Sequence, residues 1–431
     1  MANKNKIQRL SGMHDILPED QYYYENIFDT CRQIAEFYDF KKIDTPLLEY
    51  SDLYIKGAGI SSDIVQKQMY SLKTKGGDSL TLRPEFTPGV ARAYIEHGMN
   101  NLPQPVKLFS YGPVFRYEHP QAGRYRQFHQ FNAEVIGDGS PVVDAQLIQF
   151  FYNALRELKV KNIVVEVNSI GDSQCRPYYR KLLTNYLKSR EASLCADCRR
   201  RAKENPLRVL DCKEEKCQRI ISQAPQTIDH LCEECHSHFK SVLELLDEAE
   251  IPYRLNPHLV RGLDYYTKTV FEMYSEEKKE EDVSQPRLCL AAGGRYDGLF
   301  KLLGSEATKA AGGALGVERV NLLIKDKEAK STKGPEIHVF LAQLGMAAKR
   351  KSLKLFEEFR RARIRVAESF GKDSLKAQLR AADKAEVKYT LLLGQKEVLE
   401  GTIIIRDMKT GKQDIVKFDK VVDEIKKRIR G

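Results

Sequence analysis

The sequence predicts an α+β fold, in which a large domain built on an antiparallel sheet with a helical insertion precedes a small α/β domain. Three observations predict it. The densest β patterning before residue 325 is grouped without regular crossover helices, and that favours antiparallel pairing over a doubly wound sheet. The run Lys325 to Pro335 (KDKEAKSTKGP) has the composition of an interdomain linker. After it, short strand-like and helix-like runs alternate. A chain of 431 residues is also longer than a single core usually serves, about 250–300 residues.

In chain order, the pattern begins with a helix over Tyr22 to Tyr38, followed by strands over Val106 to Tyr117, Arg126 to Ile136, Ile163 to Asn168 and Tyr265 to Tyr274. Between the last two, about Asp172 to Pro252, the chain is helix-rich, charged and cysteine-bearing, as an inserted subdomain would be. Ser275 to Gln285 (SEEKKEEDVSQ) reads as an exposed hairpin loop. The final segment carries strands at Ile337 to Ala342, Ile364 to Ala367, Tyr389 to Leu393 and Thr402 to Asp407. Its helices are expected near Ala347 to Arg361, Ser374 to Ala385 and Val421 to Ile429. The expected organisation is therefore a domain over 1–325 with an insertion about 172–252, a linker over 326–335, and a second domain over 336–431.

With 42% hydrophobic and 30% charged residues, the composition excludes disordered, collagenous and coiled-coil classes. Met1 to Leu10 is polar and lysine-rich, and no run of about 18 apolar residues occurs. Neither export nor membrane insertion is expected. Nine cysteines without an export signal point to a reducing, cytoplasmic compartment. The net charge of +10 is concentrated, because residues 335–431 hold 23 Lys or Arg against 14 Asp or Glu. That imbalance suits an anionic partner, nucleic acid first among them, although a solvated lysine-rich surface accounts for the charge equally well.

The run Arg126 to Ile136 (RQFHQFNAEVI) puts Phe128, Gln130, Asn132 and Glu134 on one face of a strand and His129, Phe131, Ala133 and Val135 on the other. The second face can enter a core. The first cannot do so cheaply, since buried amides and carboxylates need partners, and it suits the floor of a ligand site. Arg116 and Glu118 alternate on the preceding strand, and the connection HPQAGRY brings Arg124 near the hairpin tip. Thr81, Arg83, Glu85 and Thr87 share a parity in SLTLRPEFTPG. Arg261 lies in LVRGLDYYT, before Tyr265 and Tyr266, and Arg319 sits in GGALGVERV. Singly, such arginines suit structural ion pairs; together with Arg116 and Arg124 they suit a triphosphate, because guanidinium forks match phosphate oxygens and keep their charge. The phosphate loop G-x-x-x-x-G-K-[ST] is absent, and GAGISS at Gly57 to Ser62 lacks the last glycine of a dinucleotide fingerprint.

These residues resemble the class II aminoacyl-tRNA synthetases, and among them the histidyl-tRNA synthetase family. FRYEHPQAGRYRQFHQ resembles the second class II motif, GGALGVERV the third, and Pro46 in IDTPLLEY the first-motif proline at a dimer interface. LVRGLDYYTKTVFE and AAGGRYDGL resemble the two histidine-family signatures, and GKDSLKAQLRAADK resembles the family's anticodon-binding domain. The resemblance implies a class II antiparallel-sheet catalytic domain and a homodimer that activates L-histidine with ATP and Mg²⁺ and transfers it to tRNA(His).

It also implies residue roles. Glu85, with Thr87 and Gln130, would hold the α-ammonium of histidine; Glu134 and Tyr266 would read the imidazole, with Tyr265 shaping the pocket. A carboxylate and a phenol can serve the donor and acceptor nitrogens of a neutral imidazole. For ATP, Phe128 would lie against adenine, Arg116 at the α-phosphate, Arg124 and Arg319 at the outer phosphates, and Glu118 by adenine or metal. Arg261 would be the family's extra cation at the α-phosphate and, with Arg116, the catalytic pair. Silent paralogues of such synthetases lack the anticodon-binding domain and degrade the arginine set; this chain keeps both.

The remaining motif is a set of cysteines: Cys195-x-x-Cys198, then Cys212 and Cys217, then Cys232-x-x-Cys235 with His236 and His238. Paired C-x-x-C elements can close a structural zinc site. Here the wide 212/217 spacing favours reduced, unligated thiols, with structural zinc as the alternative and no ligand set assigned.

Overall fold

The computed structural model describes residues 7–60, 62–276, 287–328 and 337–430. Most of the expected hairpin loop (277–285) and of the linker (329–335) lies outside them. The chain divides into two compact units, Met1–Lys330 and Ser331–Gly431.

The first unit is built on eleven strands: β1 (Lys41–Lys42), β2 (Leu48–Tyr50), β3 (Tyr70–Lys73), β4 (Ser79–Leu82), β5 (Val106–Phe115), β6 (Gln127–Ile136), β7 (Ile163–Ser169), β8 (Tyr253–Leu255), β9 (Thr267–Ser275), β10 (Cys289–Arg295) and β11 (Ala310–Gly316). Eight form one sheet in the order β1-β5-β6-β11-β10-β9-β7-β8. Every pair from β5 to β7 is antiparallel, and only the two edge pairs, β1 with β5 and β7 with β8, are parallel. The α+β class expected from grouped strands is thereby borne out. β2, β4 and β3 form a separate three-stranded sheet.

One face of the large sheet is apolar. Phe131, Ala133 and Val135 from β6, Val165 and Val167 from β7, Phe271 and Met273 from β9 and Leu315 from β11 enter a core. Helices Pro18–Phe37, Pro141–Glu157, Glu233–Glu248 and Val317–Glu328 supply the rest of it, among them Phe150, Phe151, Phe239 and Val242. Helix Pro141–Glu157 starts where Ser140 caps the amide of Val142 and Pro141 occupies the first turn, a position at which proline loses no helical hydrogen bond. Because Glu233–Glu248 packs on this core, the cysteine-bearing segment is not one separate body. Its helices Arg176–Lys188, Ala196–Glu204 and Glu215–Ile221 join the core on the opposite face. Among the described residues, no helix is long and apolar enough to cross a membrane.

The second unit carries β12 (Val339–Gln343), β13 (Val366–Glu368), β14 (Tyr389–Leu393), β15 (Thr402–Asp407) and β16 (Gln413–Lys417), in the order β13-β12-β14-β15-β16. The first three are parallel and the last two antiparallel. Alternate residues of β12 face two cores: Val339 and Leu341 meet helices Met346–Arg361 and Val421–Arg430, while Phe340 and Ala342 meet helix Leu375–Lys384. The buried Gln378 closes the end of β12, accepting from the Gln343 amide at 2.9 Å and donating to its carbonyl at 2.7 Å. β16 and the short helix Gln395–Glu400 have no counterpart in the sequence-based expectation.

Candidate active site

On the sheet face opposite those four helices lies a cavity of about 810 Å³, floored by Phe128, Gln130 and Asn132 of β6. The alternation read from the sequence therefore holds for these three. Glu134, the fourth of the set, lies deeper and is fully buried. Its Oε1 accepts from the Thr87 hydroxyl at 2.5 Å and from Asn132 Nδ2 at 3.1 Å, and its Oε2 accepts from the Tyr296 hydroxyl at 2.6 Å. Burial raises its carboxyl to about 7, and the three hydrogen bonds hold it from rising further. Space for it exists because Gly312 of β11 stands opposite; a methyl group there would overlap the carboxylate.

Glu85 enters from the segment before helix Thr87–Glu96. It is buried; its Oε2 accepts from the Tyr265 hydroxyl at 2.8 Å, while Oε1 has no partner among the described residues. Burial raises its pKa, against the opposing pull of Arg116, Tyr265 and Arg261. The shared parity expected for Thr81, Arg83, Glu85 and Thr87 does not bring them to one site. β4 ends at Leu82 and Thr87 already begins a helix, so only Glu85 and Thr87 reach the cavity. Thr81 bonds Ser51, and Arg83 donates to the carbonyls of Pro113 and Thr45.

The arginines converge from three directions. Arg116 lies just past the end of β5, fixed by Nε to the Pro84 carbonyl at 2.9 Å, with its guanidinium 5.4 Å from the centre of the Phe128 ring. Arg261 pairs with Glu272 and lies 5.6 Å from the Tyr266 ring centre, and its Nε is buried without a partner among the described residues. Burial opposes its charge, but Glu272 more than restores it, and the pKa stays above the usual arginine value. Arg319 donates from Nε to the Gly123 carbonyl at 3.0 Å and from a terminal nitrogen to the Cys289 carbonyl at 2.8 Å. Arg124 and Glu118 line the cavity from the exposed hairpin between β5 and β6.

Tyr265 and Tyr266 stack at a tilt, 4.6 Å between ring centres, and Tyr266 faces the cavity. Gln130 Oε1 and Asn132 Oδ1 are buried without partners among the described residues. A cation with several donors thus meets two unfilled acceptors, on Glu85 and Gln130, while anionic groups meet Arg116, Arg261 and Arg319. Cys289 also lines the cavity, but burial pushes its thiol up to about 12, so at neutral pH it is protonated and a poor nucleophile.

Sequence reasoning missed two contributors. Tyr296 lies in AAGGRYDGL, which drew attention as a signature but gave no reason to single out its phenol. The other is a charged wall: Asp63 accepts from Arg208 at 2.7 Å and Arg201 at 2.8 Å, and Arg208 also donates to the Arg261 carbonyl at 3.2 Å. All three side chains line the cavity.

All nine cysteines are free thiols. Seven of them fall into two groups among the described residues, Cys195, Cys198, Cys212 and Cys217, and Cys175, Cys232 and Cys235 with Asp172; Cys31 and Cys289 stand apart. His236 and His238 belong to neither. His238 instead lies 3.5 Å from Asp144, the buried partner of Arg295.

A family model described as histidyl-tRNA synthetase matches residues 12–320, and one described as an anticodon-binding domain matches 338–428. A curated histidine–tRNA ligase of Aquifex aeolicus is 45% identical over 415 residues, covering 96% of this chain and all of that protein. Another, of Syntrophotalea carbinolica, is 42% identical over 425 residues and 99% of both chains. The apo crystal structure of the S. aureus histidyl-tRNA synthetase superposes with a TM-score of 0.78 at 33% identity, covering 98% of this chain and 100% of that one.

Proposed function

The chain belongs to the histidyl-tRNA synthetase family and is a class II ligase that charges tRNA(His) with histidine in translation, and we propose that the cavity on the antiparallel sheet performs the activation step with the following division of roles. The α-ammonium of histidine sits between Glu85, Thr87 and Gln130. The imidazole is read by Glu134 and Tyr266, with Tyr265 closing the side of the pocket. ATP lies over the sheet with adenine against Phe128, its α-phosphate between Arg116 and Arg261, and its outer phosphates at Arg124 and Arg319. Glu118 is an oxygen donor of the kind Mg²⁺ takes, and that ion, when bound with the nucleotide, neutralises phosphate charge.

In this reading the carboxylate of histidine attacks the α-phosphate, and pyrophosphate leaves. A ribose hydroxyl at the 3′ end of the tRNA then displaces AMP from the adenylate. Neither step needs a protein nucleophile, in keeping with the protonated Cys289. Arg116 and Arg261 align the reactants and stabilise the charge that develops on the α-phosphate.

The observation that carries the reading is the pair of unfilled buried acceptors, Glu85 Oε1 and Gln130 Oε1, in the same cavity as Arg116 and Arg261. Buried polar atoms are nearly always paired, and an ammonium group would pair these. Discrimination follows from the same economy, since a side chain without imidazole nitrogens offers no partner to the Tyr266 hydroxyl or to the remaining acceptor capacity of Glu134. The basic second unit, matched by an anticodon-binding model, suits the anionic tRNA. The exposed apolar residues Leu47, Leu48 and Tyr50 next to Pro46 suit a homodimer contact, and a reducing cytoplasm suits the nine free thiols.

Amino-acid-dependent ATP–pyrophosphate exchange tests the assignment. Histidine alone among the twenty amino acids should support exchange, and Glu85→Gln should raise its KM by about tenfold to a hundredfold, the worth of a charged hydrogen bond. An unchanged KM in that variant would remove Glu85 from ammonium binding.

A further inference from the structure

We propose that Cys195, Cys198, Cys212 and Cys217 bind one zinc ion, and that this ion holds the charged wall of the active-site cavity in place. The four sulfurs lie within 4.8 Å of one another. Cys195 Sγ and Cys212 Sγ stand 3.9 Å apart, too far for a disulfide. Tetrahedral zinc with Zn–S bonds of about 2.3 Å separates its sulfurs by about 3.8 Å, so this spacing needs almost no adjustment. Cys198, Cys212 and Cys217 are buried and Cys195 is partly so.

Two further observations distinguish the cluster from four thiols that merely fill a small core. Backbone amides are aimed at sulfur as an acceptor: the Cys195 amide donates to Cys217 Sγ and the Cys198 amide to Cys195 Sγ, each at 3.3 Å. That is the arrangement a thiolate requires. The module's own share of the core it joins is also small. Its helices Ala196–Glu204 and Glu215–Ile221 are nine and seven residues long. Apart from the cysteines, Ala202, Pro206, Val209 and Leu210 are the buried apolar residues between Cys195 and Cys217. A metal adds cohesion within the segment where its own apolar contribution is small.

The same short stretch carries Arg201 and Arg208, which reach Asp63 and the Arg261 carbonyl. Cys198 lies in the helix of Arg201, and Cys212 follows the 3₁₀-helix Pro206–Val209 of Arg208 after a two-residue turn. Four protein ligands would leave the ion no open position. Its role is to fix the wall behind Arg261, with no part in the chemistry.

Zinc content of the purified full-length protein and of Cys212→Ser, measured by mass spectrometry of the metal, tests the proposal. The variant should hold one equivalent per chain less than the unsubstituted protein, whereas Cys31→Ala, whose thiol belongs to neither cluster, should match it. Should Cys212→Ser fail to fold, the unsubstituted protein is alkylated before and after chelation and the modified cysteines are mapped. Cys195, Cys198, Cys212 and Cys217 should become reactive together on chelation and be protected again by added Zn²⁺. Equal zinc in the two proteins, a zinc-free unsubstituted protein, or alkylation of these four indifferent to the chelator would each overturn the site.

Discussion

The Tyr296 hydroxyl donates to Oε2 of Glu134 at 2.6 Å, joining the residue that follows β10 to a carboxylate on β6, two strands away in the sheet. The bond is one of three that restrain the pKa of Glu134. Tyr296→Phe should therefore push that carboxyl above its value of about 7 and weaken the reading of imidazole. The expected result is a histidine KM raised by about tenfold, in line with one buried hydrogen bond, and a pH profile of exchange displaced to higher pH. Superimposable profiles for the two proteins would separate Glu134 from histidine recognition.

The elevated pKa of Glu134 has a consequence for stability without ligand. Its folded value of about 7 lies above the ordinary 4.5, so the folded state binds the proton more tightly than the unfolded state. The contribution is present in full below about pH 4.5 and is lost as pH rises through about 7. Urea unfolding of the apo protein over that window should show a decline of up to about 3 kcal/mol from this group. Glu134→Gln should remove that part of the slope, and an identical slope in both proteins would contradict the assignment.

Arg261 and Glu272 neutralise each other beside the proposed α-phosphate position. Arg261→Ala should lower the rate of histidine-dependent exchange by about a hundredfold to a thousandfold, the usual cost of one preorganised donor to a developing charge. The same change strands the Glu272 carboxylate, so a loss of activity could be confused with misfolding. Adding Glu272→Gln should restore thermal stability without restoring kcat. Recovery of kcat in the double variant would show that Arg261 acts only as a partner for Glu272.

Outside the cavity lining, Arg295 is fully buried and donates to Asp144 from two nitrogens, with further bonds to the carbonyls of Asp138 and Ser140. Asp144→Ala leaves that guanidinium without its main counter-charge. Chemical denaturation should register a loss of about 3–5 kcal/mol. Histidine KM in the fraction that remains folded should be unaltered, and a change in KM comparable to that of Glu85→Gln would place this pair in the substrate site after all.

Periodicity reported which side of a strand a residue occupies but not what covers it. Phe128, Gln130, Asn132 and Glu134 alternate faultlessly on β6, yet burial along that strand deepens from half-buried at Gln130 to complete at Glu134. The cover comes from Thr87 and Tyr296, distant in sequence, and no local pattern carries that information. Parity failed outright for Thr81 and Arg83 because β4 ends at Leu82 and the chain bends at Pro84 before helix Thr87–Glu96 begins, so a period of two gave way to 3.6 within the motif. The grouped strands, by contrast, made the antiparallel sheet legible, since long apolar alternation survives any change in neighbours. Among the cysteines the C-x-x-C pairs were visible, but the partners that complete each group were set by the tertiary fold. Cys232 and Cys235 meet Asp172 and Cys175, not the histidines adjacent to them in sequence.

Arg319 is held by two carbonyls, those of Gly123 and Cys289. A free arginine side chain carries about 2 kcal/mol of rotamer entropy, which a ligand would otherwise have to remove on binding. Here folding has already removed it, and only two of the five guanidinium hydrogens are engaged in doing so. The remaining three stand oriented by the fold, so in the proposed arrangement an incoming phosphate would meet a fork whose direction the chain itself sets. Shortening this residue to lysine would keep the charge and surrender the advance orientation, which makes the phosphate end of the site a place where affinity is stored as restricted motion.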